Sequence, residues 1–340
     1  MADQAEKLRH MVERLGPAEA PAETPDAPAP AVRKPLAPPA SSTPSTRPRV
    51  APRCERKTAK ASQPATRLAH VIAVTSGKGG VGKSSLAVGL GMCLRRLGKK
   101  VTLVDMDLGL ANLDLMLGLN ARHTLADVIT GRRGLSDITV EGPLGIRLVP
   151  GASGVAELCN LSTDDRANLV GQLAALEATA DVLIVDTGAG VSENVLTFCG
   201  AAGEAMVVAT SDPASIADAY ATVKLLGQRG GCPPLGLVMN MVRTRDDIQR
   251  IGRIIPVARK FHRIAVRNLG TVPYDESVGK ALHARRPYIE RFPESKVSLA
   301  TMALARTVST GAGPWMDAAR EPFFRRALKL LGGRREAASK

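Results

Sequence analysis

The stretch Val71-Ile-Ala-Val-Thr-Ser-Gly77-Lys78-Gly79-Gly80-Val81-Gly82-Lys83-Ser84-Ser85 decides how this chain folds. An apolar, largely β-branched run enters a segment crowded with glycine. Leu86, Leu90, Cys93, Leu94 and Leu97 then recur at helical spacing. The expected local structure is a strand, a tight loop and a helix. From Gly77 the loop fits G-x-x-x-x-G-K-S/T, in the strand-to-helix context that the pattern requires. Glycines at these positions let successive backbone N–H groups curl around phosphate oxygens, and the helix N-terminus adds its positive dipole. In such a loop Lys83 reaches the β- and γ-phosphates of a nucleotide, and the Ser84 hydroxyl ligates Mg²⁺. The nucleotide-contacting set is Gly77, Lys78, Gly79, Gly80, Val81, Gly82, Lys83, Ser84 and Ser85.

Working outward, further apolar runs read as strands at Val101–Asp105, Ile146–Pro150, Val182–Asp186, Ala205–Thr210, Leu235–Asn240 and Asn268–Val272, besides His70–Thr75 itself. Helical patterns lie between most of them. This alternation predicts an α/β fold: a doubly wound, mainly parallel sheet of about seven or eight strands with helices on both faces. Such sheets bind ligands at the carboxyl ends of their strands. The run Val104-Asp105-Met-Asp107 places two carboxylates at such an end. The run Asp181-Val-Leu-Ile-Val-Asp186 is an apolar strand closed by an acid, suited to binding Mg²⁺ directly or through water. Gly188 and Gly190 behind it suit a mobile switch that senses the γ-phosphate. Asn240 closes another strand with a side chain that can both donate to and accept from adenine. His123, His262 and His283 lack metal-ligand spacing.

Of the 340 residues, 44% are hydrophobic and only 3% aromatic, so the core is aliphatic and the composition argues against base stacking on aromatic platforms. The net charge of +14 favours an acidic partner, whether nucleic acid, anionic membrane or acidic protein. Cys54, Cys93, Cys159, Cys199 and Cys232 form no CxxC pair and read as free thiols in a reducing cytosol. No leader or membrane-spanning run is expected. Residues 1–16 read as a short helix with Ala5, Leu8, Met11, Val12 and Leu15 at helical spacing. Residues 17–66, rich in Pro, Ala, Ser and Thr, read as a disordered linker. Residues 67–310 form the folded α/β body, and 311–340 a separate basic tail. In that tail Phe323, Phe324, Ala327, Leu328 and Leu331 share one helical face among basic residues, the pattern of a reversible interfacial helix on anionic lipid. A second basic cluster spans Arg243–Arg267.

The motif K-G-G-x-G-K-S resembles the deviant Walker A of the MinD/ParA superfamily, and the resemblance covers roughly residues 70–306. It implies an ATP- and Mg²⁺-dependent homodimer with the nucleotide sandwiched between subunits and Lys78 reaching the partner's phosphates. It also implies that Asp107 orients the attacking water, that Asp105 supports the Mg²⁺ region, and that Asn240, Pro273 and Asp275 lie on the base side. Within the superfamily, Asp105–Asp114, Asp186–Val195 and Ser211–Tyr220 look like the FlhG family of flagellar-number regulators, also called FleN or YlxH. MinD usually has Pro where this chain has Gly188. The N-terminal Asp3-Gln4-Ala5-Glu6-Lys7-Leu8-Arg9 matches the D-Q-A-x-x-L-R signature of FlhG. That match implies that Asp3, Gln4, Ala5, Leu8 and Arg9 dock on the GTPase FlhF, with Gln4 helping at its GTP site. It implies membrane targeting by Phe323, Phe324, Leu328 and Leu331, reversible attachment to the inner face of the cell membrane from the cytoplasm, and contacts with flagellar switch (C-ring) proteins. The linker is longer than in the family. The competing reading is a ParA- or MinD-like partition or cell-division ATPase that binds DNA or membrane. An iron–sulfur carrier is disfavoured by the missing CxxC pair, and an inactive adaptor by the intact Lys78, Lys83, Asp107 and Asp186.

Overall fold

Successive residues of the first strand face different cores. Val71 and Ala73 pack into one hydrophobic cluster, and Ile72 and Val74 into the other. A strand buried on both faces needs a continuous apolar run rather than an alternating one, which is why the sequence reads as it does. The computed structural model describes residues 68–107, 111–151, 163–229, 231–310 and 321–332, those at 163–170 and 331–332 by backbone only. The helix assigned to 1–16, with Asp3, Gln4, Ala5, Leu8 and Arg9, and the linker 17–66 lie outside the described residues.

The strands are β1 His70–Ser76, β2 Val101–Met106, β3 Val140–Glu141, β4 Arg147–Val149, β5 Val182–Ala189, β6 Glu204–Ala209, β7 Leu235–Val242 and β8 Val266–Pro273. They form one sheet in the order β3-β4-β2-β5-β1-β6-β7-β8. Every pairing is parallel except β3 with β4. The expected doubly wound sheet is present, and all seven expected strands are in it. The eighth, β3, has only two residues and leaves no periodic trace in the sequence. β1 lies between β5 and β6, where the chain's connections turn from one half of the sheet to the other, and this is the switch point at which such folds bind ligands.

One helical layer holds α1 Lys83–Arg96, α2 Leu113–Met116, α10 Glu276–His283, α11 Tyr288–Arg291 and α12 Lys296–Thr310. The other holds α3 Leu125–Ile129, α4 Leu135–Ile138, α5 Thr163–Thr179, α6 Glu193–Ala201, α7 Pro213–Gly227, α8 Arg245–Gly252, α9 Ile254–His262 and α13 Phe323–Gly332. Cys93 and Cys199 are buried between these layers and the sheet, and burial pushes both thiols up to about 12, so they behave as small apolar residues.

The C-terminal helix departs from expectation. A free basic tail was anticipated, but α13 packs on α5 and α6. Phe323 and Phe324 are 0% and 2% exposed, Ala327 is buried and Leu328 half-buried, while the Leu331 side chain lies outside the described residues. The two rings meet edge to face at 4.7 Å. The buried Glu177 carboxylate of α5 accepts from the Phe324 N–H at 3.4 Å and so closes the helix's open N-terminus. Burying a phenylalanine is worth about 1.5–3 kcal/mol, so a groove that takes two of them holds the helix against the body. The amphipathic pattern was read correctly as a helix with one apolar face; its partner here is the protein itself. Phe323→Ala should therefore lower the unfolding free energy by about 3–5 kcal/mol. Leu330→Ala, at a position 44% exposed, should change it by less than about 0.5 kcal/mol in denaturant titrations.

Candidate nucleotide-binding site

The loop after β1 takes the shape its glycines permit. Gly80 and Gly82 hold φ of 79° and 83°, in the left-handed region that other residues adopt at a cost. A Cβ on Gly82 would also fall 2.6 Å from Nδ2 of Asn240, and one on Gly77 would fall 2.3 Å from the backbone of Asp218 in α7. Nothing lies within 4 Å of a Cβ at Gly79 or Gly80, so the crest of the loop is open. α1 begins at Lys83 and has no acidic residue in its first turn. Its N-terminal N–H groups and dipole are thus uncompensated and suited to an anion.

Lys83 is 6% exposed. Its ammonium lies 2.7 Å from Oδ1 of Asp186, 3.3 Å from the Ser84 hydroxyl and 3.9 Å from Oδ2 of Asp107. Asp186 sits on β5, directly beside β1, and is 1% exposed. Burial pushes its carboxyl upward, and the Lys83 charge draws it back. Its second oxygen, Oδ2, is buried with no hydrogen-bond partner among the described residues. A buried carboxylate oxygen left open beside a serine hydroxyl fits a Mg²⁺ ion or its water shell, so the residues present suit that metal. Among the described residues, this site included, no group of three His, Cys, Asp or Glu could hold a metal ion, so Mg²⁺ here would need oxygens from Ser84 and the nucleotide as well.

Asp105 holds the backbone next to the expected Mg²⁺ region. Oδ1 accepts from the Asp107 N–H at 3.1 Å, and Oδ2 from Asn112 and Leu113 at 3.0 and 3.2 Å. Both oxygens accept from the backbone that follows β2, so Asp105 fastens that loop and the start of α2. Burial and the neighbouring Asp186 push its carboxyl up to about 6, against the pull of those three N–H groups. Asn240, at the end of β7, donates Nδ2 to the Val81 carbonyl at 2.7 Å. Its donor braces the phosphate loop. Pro273 ends β8 in register with Val242, which brings the two expected base-side loops together. Asp275 caps α10 by accepting from the Ser277 N–H at 2.9 Å, and those bonds hold its carboxyl low.

Three contacts of this region were not anticipated. The Arg243 guanidinium lies 3.6 Å over the Tyr274 ring, where the two base-side loops meet. The Gly190 N–H donates to the Ser76 carbonyl at 2.8 Å, tying the segment after β5 to the phosphate loop. Lys78 is paired at 2.7 Å with Asp212, the N-cap of α7. Only Asp212 left a trace in the sequence: Asp-Pro at the start of an apolar helical run marks a helix N-terminus.

Comparison with known proteins agrees with this geometry. Residues 72–288 match the family model of the CobQ/CobB/MinD/ParA nucleotide-binding domain. The chain is 42% identical over 255 residues to the antiactivator FleN of Pseudomonas aeruginosa, spanning 75% of this chain and 91% of that protein. It is 30% identical to the flagellum site-determining protein YlxH of Helicobacter pylori, over 77% of this chain and 90% of the relative. Among solved structures, the septum site-determining protein MinD of Pyrococcus horikoshii, complexed with Mg-ADP, superposes with a TM-score of 0.59 at 25% identity, over 73% of this chain and 99% of that one.

Two outcomes should separate structural from binding roles here. Lys83→Ala should abolish nucleotide binding in titration calorimetry and also cost about 3–5 kcal/mol of stability, because it leaves Asp186 buried without its counter-charge. Adding Asp186→Asn should recover most of the stability and none of the binding. For Asp105, the folded state holds the proton more tightly than the unfolded chain. Its contribution therefore weakens the fold as pH rises from 3.8 to about 6 and is level above. Asp105→Asn should flatten that part of the stability–pH curve. Asp105→Ala, which strands three N–H groups, should cost about 1–3 kcal/mol.

Proposed function

The chain belongs to the CobQ/CobB/MinD/ParA family of nucleotide-binding ATPases, and on that premise we propose that it is an ATP-driven regulator of flagellar number or placement. The observation that carries this reading is the 42% identity to FleN across 91% of that protein's length, joined to a complete phosphate-loop constellation in this chain. ATP is the substrate. The loop N–H groups from Gly77 to Ser85 and the α1 N-terminus cradle its phosphates. Lys83 must exchange Asp186 for the β- and γ-phosphates, which frees the carboxylate to act with Ser84 at Mg²⁺. Bound there, Mg²⁺ would neutralise charge developing on the phosphate oxygens. Asp107 stands close enough to Lys83 to be drawn into the same rearrangement, and it is the group we assign to orienting the attacking water.

In this reading ATP drives homodimerisation, with Lys78 crossing to the partner's phosphates. Membrane attachment then requires α13 to leave its groove, since Phe323 and Phe324 cannot enter lipid while buried against α5 and α6. Cations near a bilayer contribute about 1 kcal/mol each, so one tail binds weakly and two bind with avidity. The N-terminal D-Q-A-x-x-L-R helix would stimulate the FlhF GTPase, with Gln4 helping to position water, and flagellar switch proteins would be further partners.

One observation keeps the partition reading in play. Of the eight basic residues between Arg243 and Arg267, all but Arg253 are exposed. ATP-dependent DNA binding that weakens steeply with salt would favour that reading.

GTP hydrolysis by FlhF from the same organism should rise on adding a peptide of residues 1–20 and fall back with Gln4→Ala. The absence of stimulation would remove this partner and return the partition reading. Asp107→Ala should retain ATP, accumulate as dimer and remain on anionic vesicles. Hydrolysis at the wild-type rate would remove its assigned role.

A further inference from the structure

Lys78 has a tightly packed backbone but a half-exposed side chain. Its carbonyl accepts from the Ser76 hydroxyl at 2.9 Å, and its neighbour Gly77 is packed directly against the backbone of Asp218 in α7. Its side chain is 45% exposed, and the ammonium lies 2.7 Å from Oδ2 of Asp212, whose side chain is 47% exposed. The two residues are 134 positions apart and meet because β6, which leads into α7, lies next to β1. The same Asp212 oxygen accepts from the Ser215 N–H at 3.1 Å and so caps α7. A bare helix N-terminus repels an ammonium. The capping carboxylate turns this end of α7 into a seat for one. The hydrogen bond from Lys78 is the largest influence holding the Asp212 carboxyl below its ordinary value.

We propose that Asp212 is an intrachain latch for Lys78, a positioning residue that holds the lysine on its own subunit until the dimer forms. The proposal rests on the reading above, in which Lys78 acts across an ATP-bridged homodimer. A lysine seated on α7 cannot at the same time extend to a partner's phosphates. Formation of the dimer therefore breaks two such ion pairs, one per subunit. The latch raises the concentration at which the dimer appears and keeps the free cation away from other anions. A half-exposed pair of this kind is worth about a 1.4- to 5-fold factor in an equilibrium, and two together about two- to thirtyfold.

Asp212→Asn tests this cleanly, because asparagine caps a helix about as well as aspartate but carries no charge. Dimerisation of the full chain would be followed by sedimentation with Mg²⁺ and a non-hydrolysable ATP analogue, at low salt and again at high salt. The latch requires the half-dimerisation concentration of Asp212→Asn to fall about two- to thirtyfold below wild type at low salt. It also requires the gap to close as salt screens the pair. A change in α7 packing alone would not give that salt dependence. An unchanged or weaker dimer in the variant, with wild type dimerising normally, overturns the latch and leaves the functional reading standing. A wild-type chain that never dimerises with nucleotide overturns both.

Discussion

A lysine and an aspartate buried together at the centre of the sheet set the terms for the rest of this molecule. The Lys83 ammonium and the Asp186 carboxylate are almost completely removed from water and lie 2.7 Å apart. Neither charge could stay there alone, since desolvating one ion without its partner costs several kcal/mol. The pair is built from the first residue of α1 and from β5, the strand beside β1. Loop, helix and sheet are thereby locked in one arrangement. The pair is also incomplete, because among the described residues Asp186 keeps an oxygen without a hydrogen bond. In the proposed mechanism, nucleotide phosphates take over this Lys83 contact.

The same economy runs through the neighbouring groups. The polar side chains around the loop are engaged within the chain: Lys83 with Asp186, Lys78 with Asp212, Asn240 with the Val81 carbonyl, and Asp105 with the loop after β2. The apolar face of α13 is likewise engaged with α5 and α6. In the proposed mechanism, ligand binding is thus a set of exchanges. The free energy of each step is a difference between two contacts, which keeps the states within a few kcal/mol of one another.

How much of this was legible beforehand follows from which interactions are local. The phosphate loop, the strand runs and the acids at their ends are local patterns with fixed spacing, and they gave the sheet and the loop, Lys83 and Asp186 together. Partners across the fold carry no such spacing. Nothing near Asp105 in the sequence says that both its oxygens go to backbone N–H groups, because a carboxylate on a strand end reads the same whether it meets a metal or a loop. The Asp212 partner of Lys78 is 134 residues away and becomes visible only once β6 is known to lie beside β1. The amphipathic face of α13 is the clearest case. Its period fixes the helix and the apolar side, but lipid and a protein groove present the same kind of surface to it.

That ambiguity has a physical consequence for the tail. A face that suits both the groove and a bilayer can be divided between them, provided neither holds it too strongly. The groove has two anchors, Phe323 and Phe324, and one polar clasp, the Glu177 carboxylate at the helix's open N–H groups. A bilayer can take the rings, and water at its surface can satisfy the N–H groups. The basic residues Arg325 and Lys329 already lie on the exposed side of the docked helix, so the docked state keeps them hydrated. In the proposed membrane-bound state it is the charged side of the helix, with Arg325 exposed on it, that would distinguish anionic lipid from the groove.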